Sequence, residues 1–357
     1  MRRTWAPACL LLSAHFALLS CASTTGQPPR DRLGSIPFPG VFTLYATADP
    51  NNLGQHRYEA WWDKLGQPAE TSRGIMYTCR AGFIDLSHIR DSIDWTRFLC
   101  NRSRQALQSF GSGGSTPGFS FTLSDARYEI ELHEPDWWSR LSPAQREHLV
   151  AEASIVLGQR LAVIAATWHE IGTWFGQQTI PGVSEQNSAF TWDDATSHII
   201  AAIVAGRALR SDEPFDLAVT RELSIALEDL EVVDADCQAR AVQMVYERWW
   251  KGGVAIRRDF ETGLVTPKHP WTVPDLDCCP RSSPLPLTVP SLQNVDGYDL
   301  SSLLSFQIYP ARSILRSALR CDPDCPPCIR GEPDLLTAIE TVRSQVLDRF
   351  GPDADRP

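Results

Sequence analysis

Ser142-Pro-Ala-Gln-Arg-Glu-His-Leu-Val-Ala-Glu-Ala-Ser-Ile-Val-Leu-Gly-Gln-Arg-Leu-Ala-Val-Ile-Ala-Ala-Thr-Trp-His169-Glu170-Ile-Gly-Thr-Trp-Phe-Gly176 is the stretch whose reading decides the fold. Ser142 suits an N-cap, and Pro143 suits the first helical position, where the N–H it lacks would be unpaired anyway. The sequence predicts a helix from there to about Phe175, stopping at Gly176. Downstream the helical reading continues. Thr191 opens a second helix, with Asp194 three positions on in a capping-box arrangement, running to about Leu209. Two more cover roughly 215–233 and 234–250, and a last one spans 333–350. Upstream, Leu86, Ile89, Ile93, Phe98 and Leu99 recur at helical spacing from Asp85 to about Gln108. Short apolar runs at 41–45, 58–62 and 74–78 read as strands or extended segments. Phe119-Ser-Phe-Thr-Leu123 and Arg127-Tyr-Glu-Ile-Glu-Leu132 alternate around Ser-Asp-Ala and predict a hairpin. The fold class is therefore α+β and predominantly helical: a helical bundle with a small N-terminal strand and hairpin region.

The start of the chain reads as an address. Arg2 and Arg3 precede the mainly apolar run Ala8 to Leu19, and then comes Leu18-Leu19-Ser20-Cys21. This order is a secretory signal. The last four residues resemble a bacterial lipobox, which implies cleavage before Cys21 and lipidation of that cysteine. The expected organisation is a signal peptide at 1–20 and a flexible tether at 21–35. A mixed, then helical, core domain follows at 36–263. A Pro/Cys-rich segment plus C-terminal helix, packed on the core, completes the chain at 264–357. Seven prolines between 264 and 290 predict irregular backbone there. The lipid on Cys21 implies a membrane anchor. Ala22 after it, by analogy with enterobacterial sorting, favours the outer membrane, with the protein facing the periplasm.

Composition excludes some classes. Lys and Arg number 33 against 43 Asp and Glu, a formal charge of −10, which becomes −12 once Arg2 and Arg3 leave with the signal. So acidic a chain is a poor nucleic-acid binder. An apolar share of 43% argues against disorder. No stretch after the signal approaches the ~18 uncharged residues of a membrane span. Of ten cysteines, eight remain beyond the signal and Cys21: Cys79, Cys100, Cys237, Cys278, Cys279, Cys321, Cys325 and Cys328. In an exported chain these are expected to form disulfides rather than a thiolate metal site, with a connectivity that sequence does not reveal.

Three segments set polar residues in apolar surroundings. Asp85, His88 and Asp91 are three apart and share a helix face. His169 lies on a stripe with Ala162, Ala165, Ala166 and Thr173, where small residues let another helix approach, and Glu170 follows it. Asp194 and His198 are four apart on one face of the next helix, with Glu185 just upstream. Three histidines among carboxylates on neighbouring helices are a composition that holds zinc or another divalent metal. The expected ligands are His88, His169, Asp85, Asp194 and His198, with Glu170 taking the proton of a metal-bound water. His169-Glu170 opens like the zinc-protease motif H-E-x-x-H, but Thr173 stands at its fifth position and removes that assignment. Each residue also has an ordinary structural reading. Asp85 serves as an N-cap, Asp194 as a capping residue, His198 as its partner, and His169 as a buried imidazole bonded to a carbonyl.

Met76-Tyr-Thr-Cys79-Arg-Ala-Gly-Phe-Ile-Asp85-Leu-Ser-His88-Ile-Arg90, Trp168-His169-Glu170-Ile-Gly-Thr-Trp174-Phe-Gly176 and Ser188-Ala-Phe-Thr-Trp-Asp-Asp194 resemble a family of uncharacterised proteobacterial lipoproteins, domain of unknown function number four-zero-five-six. The resemblance covers roughly residues 36–250. It implies an exported lipoprotein and assigns no catalytic residue. It also implies that asparagine often stands at the place of His198, which favours Asp85, His88, His169 and Glu170. Three functions stay open. The first is a lipid-anchored, metal-dependent hydrolase. The second is a metal-free glycan-cleaving enzyme of the cell wall, with Glu170 as acid and Glu185 as second carboxylate; His169-Glu170-Ile-Gly-Thr173 resembles the catalytic-glutamate context of lysozyme-like chitinases. The third is a non-enzymatic envelope lipoprotein whose polar cluster fixes a helix seam and whose partner is another envelope component.

Overall fold

The computed structural model describes residues 28–29, 48–58, 74–111, 116–177, 185–280, 283–312, 314 and 328–357. The signal, Cys21 and nearly all of the tether lie outside the described residues. So do the extended segments expected at 41–45 and beyond Tyr58, and Cys321 and Cys325.

A hairpin of β1 (Ile75–Thr78) and β2 (Gly82–Asp85) leads directly into α1 (Leu86–Gln108). Asp85 ends the strand in extended geometry, and its carboxylate accepts the Ser87 N–H at 2.7 Å, capping the helix. A cap of this kind contributes about 1 kcal/mol. Strands β3 (Gly118–Thr122) and β4 (Ala126–Leu132) form the expected second hairpin. After a short 3-10 turn comes α2 (Pro143–Trp174), opened by a capping box between Ser142 and Gln145. By length and composition α2 is able to cross a membrane, yet 83% of its most apolar window is buried against the protein's own elements. It is the core helix.

Around α2 pack α1 and α3 (Asp194–Leu209), and α4 (Phe215–Asp229) packs on α3; α5 (Ala235–Val245) and a two-residue hairpin of β5 (Trp250–Lys251) and β6 (Val254–Ala255) follow. The α1–α2 crossing is close at Gly158. A Cβ there would lie 2.7 Å from the Thr96 carbonyl oxygen and 2.8 Å from the Cys100 nitrogen. The last elements are β7 (Leu304–Pro310), β8 (Ile329–Arg330) and α6 (Gly331–Phe350). Strands β3, β4, β7 and β8 make one antiparallel sheet in that order. Tyr128, Ile130, Leu132, Phe306 and Ile308 face the core, while Arg127, Glu129, Glu131, Ser305 and Gln307 face outward. The fold is thus α+β and mainly helical. Strand β7 and its sheet were not foreseen, and they join residues on both sides of position 263.

Two helix ends differ from the expected ones, each for a tertiary reason. The fourth helix ends at Asp229, not 233, because residues 230–233 turn through a positive φ at Glu231 and bond to the β1 edge: Cys79 N–H to Glu231 at 3.0 Å, Val233 N–H to Tyr77 at 3.1 Å. The fifth ends at Val245, not 250. The chain turns at Glu247 to insert Trp249 and Trp250 into a second apolar cluster with Tyr77, Phe83, Trp192 and Trp271. Helix α3 starts at Asp194, three residues after Thr191. Disulfides Cys79–Cys279 and Cys237–Cys278 stitch this second cluster. Two bridges thus form among the described residues, as expected of an exported chain; Cys100 is buried with its Sγ 3.7 Å from Ser154 Oγ, and Cys328 lies outside both bridges.

Candidate metal centre

The starts of α1 and α3 and the end of α2 meet at one place. Asp85 and His88 come from the first turn of α1, Asp193 and Asp194 from the start of α3, His198 from its second turn, and Glu170 from the last turns of α2. Donor atoms of Asp85, His88 and Asp193 all lie within 4.8 Å of one another. Asp85 is fully buried and Asp193 is 1% exposed. Asp193 Oδ1 has no hydrogen-bond partner in this buried position. His88 Nδ1 lies 3.3 Å from Asp194 Oδ1 and 3.9 Å from Asp85 Oδ2. Its ring stacks on that of His198 at 5.3 Å, and His198 Nδ1 is 2.7 Å from Ser92 Oγ.

Asp194 turns its other oxygen to the chain, accepting the Thr191 N–H and hydroxyl, both at 2.8 Å. The capping interaction expected of Asp194 therefore forms, although the helix itself begins at Asp194. Glu170 accepts the Phe190 N–H at 2.8 Å, which secures the bend where Phe190 takes a positive φ. Glu170, Asp194, His198 and Asp259 line a cavity of about 10 Å³, room for one water. Asp259 is neutralised from behind by the fully buried Lys268, with which it forms a direct hydrogen bond.

The electrostatics follow from so many acids in so little solvent. Burial, then Asp194 and Asp85, push Asp193 well above the carboxylate range. Burial and then Asp194 push Glu170 up to about 8, against the pull of His169, the Phe190 N–H and His88. Burial alone would lower His88, but Asp85, Asp194 and Glu170 outweigh it and raise its pKa well above the ordinary value. His198, buried and beside His88, is lowered to about 3. One imidazole of the stacked pair holds the positive charge and the other stays neutral. Like charges this close and this buried are costly unless a cation joins them.

Of the residues expected from sequence, Asp85, His88, Asp194, His198 and Glu170 converge here. His169 faces elsewhere: its Nδ1 lies 3.3 Å from Oδ2 of Asp125, a fully buried residue of the β3–β4 turn, while 37% of the side chain stays exposed. It is not bonded to a carbonyl, and it is not in the Asp85–His88–Asp193 group. Burial is again outweighed, first by Asp125 and then by Glu170 and Glu185, and its pKa rises to about 9. Glu185 thus borders His169 from the segment before α3. Sequence reasoning passed over Asp193, Asp125 and Asp259. The first had a visible signal, two aspartates side by side at a helix start, where one suffices as a cap. The other two had none.

The family model described as Protein of unknown function (DUF4056) matches residues 15–262, which hold all of these residues except Lys268. The chain belongs to this family. No curated protein and no solved structure matches it.

Proposed function

We propose that this member of the DUF4056 family is a divalent-metal-dependent hydrolase, with Asp85, His88 and Asp193 as ligands and Glu170 as the proton-carrying residue. The observation that supports it most is the triplet of donor atoms within 4.8 Å, two of them from buried carboxylates, one of whose oxygens has no hydrogen-bond partner. One imidazole and two carboxylates suit a borderline ion such as zinc or manganese, and three protein ligands leave a position for water. Bound there, the ion would acidify that water. Asp194 and Thr191 hold the start of α3 so that Asp193 is presented inward. His198, neutral and bonded to Ser92, fixes the His88 ring by stacking. Glu170 borders the water-sized cavity and is placed to accept the proton and return it to the leaving group. The reacting bond would approach past His88 and His169, whose side chains are 24% and 37% exposed.

The test is metal analysis of purified protein, stripped with chelator and reloaded with zinc or manganese. One equivalent of bound metal and a raised melting temperature are expected, with both lost in Asp193→Asn and His88→Ala. Failure to bind either ion stoichiometrically overturns the reading. We further propose that Cys21 carries lipid and holds this site at the periplasmic face of the outer membrane, on the strength of the Leu18–Cys21 pattern. Labelling with radioactive palmitate should mark the wild type and not Cys21→Ser. Equal labelling of both would refute the anchor.

A further inference from the structure

Away from the His–Asp centre, a cleft of about 670 Å³ opens where the outer face of the four-stranded sheet meets the start of α6. Its volume lies in the range of ligand sites. Most of it is built from residues beyond 262, outside the family match. One wall is a strand edge. Strand β8 pairs with β7 only at Gln307↔Arg330 and Ile308↔Ile329. The chain then leaves the ladder at Gly331, with φ +70°, and enters α6. Beyond this point no strand covers that edge of β7 among the described residues.

The register says which main-chain groups are left there. Ala311 N–H bonds to Asp125 at 2.7 Å and His133 N–H to Leu303 at 2.8 Å, both in line with the β4–β7 pairing. In an antiparallel ladder, hydrogen-bonded pairs alternate along the strand. Odd-numbered residues of β7 therefore bond to β4, and even-numbered ones face the opposite edge; the Gln307–Arg330 pairing uses the Phe306 C=O, which leaves the Phe306 N–H and the N–H and C=O of Leu304 directed into the cleft. An uncovered edge of this kind is a template for another extended chain.

Three carboxylates, Glu129, Glu131 and Glu332, line the cleft against two guanidiniums, Arg160 and Arg330. Arg160 reaches the cleft from α2 but is already engaged by Glu332 and by the carbonyls of Leu264 and Pro290. Glu131, on the outward face of β4, is exposed and pairs with no cation among the described residues. It stands opposite Ser305 in the register. Ser305 is small, so a long side chain on a strand added beside β7 would pass over it. Two strand spacings, about 9.6 Å, separate that added strand from β4.

We propose that this cleft binds an extended peptide bearing a basic side chain, which joins the open edge of β7 at residues 304–306 as an added strand. Main-chain hydrogen bonds to Leu304 and Phe306 supply the grip, and Glu131 selects lysine or arginine at the position opposite Ser305. The overall charge of −10 draws such a partner from a distance.

The experiment is fluorescence anisotropy with labelled synthetic heptapeptides of alternating valine and lysine, measured on the full mature chain. Three companion peptides carry glutamine for lysine, N-methyl groups on alternate amides, or both. Saturable binding is expected for the lysine peptide, weakened about tenfold by the glutamine exchange and abolished by N-methylation of the edge-facing amides. Glu131→Gln should weaken binding of the lysine peptide to the level of the glutamine peptide. Ser305→Lys, a solvent-face change, should weaken it to the same level by occupying Glu131 from within. No saturable binding below about 1 mM overturns the proposal, as does binding indifferent to N-methylation. Equal binding of lysine and glutamine peptides overturns its basic selectivity. Metal content is the control: it is expected to be unchanged in both variants.

Discussion

At the scale of single residues, the molecule contains two kinds of buried carboxylate. Asp85 has its hydrogen bond and reads from sequence as what it is, a helix cap, because capping is local and leaves a local pattern. Asp125 and Asp193 have their meaning in partners 44 residues away or on another helix, and no local pattern reports that. Asp125 sits in a Ser-Asp-Ala turn, where aspartate is ordinary turn chemistry. Its effect is nonetheless specific, since with its help the His169 pKa rises from 6.5 to about 9. A histidine whose folded pKa is raised binds its proton more tightly when folded. Its contribution to stability is complete below pH 6.5 and is lost as pH climbs through about 9. Asp125→Asn removes the largest of the raising influences, so the variant should lose less stability than wild type across that window. Urea unfolding at both ends of the window checks this. Parallel losses in the two proteins would mean that Asp125 does not govern the imidazole.

At the scale of elements, the long helices and the β3–β4 hairpin were legible because each carries its own punctuation: Ser142-Pro143 for α2, Asp85 for α1, and Ser-Asp-Ala between β3 and β4. The ends of α4 and α5 were not legible, since what stops those helices is the β1 edge and the tryptophan cluster, which lie far off in sequence. The same division governs the glycines of α2. In an isolated helix, glycine to alanine stabilises by about 1 kcal/mol. At Gly158 the new Cβ meets backbone of α1, 2.7 Å from Thr96 O and 2.8 Å from Cys100 N, and neither atom moves without the helix. Overpacking of this kind costs about 1–3 kcal/mol and should outweigh the propensity gain. At Gly172 the nearest atom is the end of a side chain, Ile314 Cδ1 at 3.1 Å, which can give way. Gly158→Ala is therefore expected to lower the urea midpoint and Gly172→Ala to leave it level or raise it. A neutral Gly158→Ala would show that α1 and α2 are less tightly seated than their crossing implies.

At the scale of the whole molecule, the candidate centre depends on a part of the chain that sequence placed only as irregular. Residues 264–290 read as proline-rich coil, and the described ones among them form neither helix nor strand, but Cys278 and Cys279 tie them to α5 and to the residue after β1. The ties surround the cluster of Trp192, Trp249, Trp250 and Trp271, and Trp192 immediately precedes Asp193. Stacked and edge-on indoles at 5.0–5.7 Å hold this layer, each pair contributing about 0.5–1.5 kcal/mol beyond its buried area. Opening a disulfide should act on the site through that layer. The Cys79–Cys279 bridge spans 200 residues and Cys237–Cys278 spans 41. Removing either is expected to cost about 2–5 kcal/mol, and the longer loop should cost about 1 kcal/mol more, because it returns more entropy to the unfolded chain. Alanine pairs at Cys79 and Cys279, and separately at Cys237 and Cys278, give the two costs by urea unfolding. Tryptophan emission should shift to the red in both, and the melting response to zinc or manganese should shrink with it. A disulfide variant whose indoles loosen while its metal response stays whole would separate the tryptophan layer from Asp193, and the support of the centre would then have to come from α1 and α3 alone.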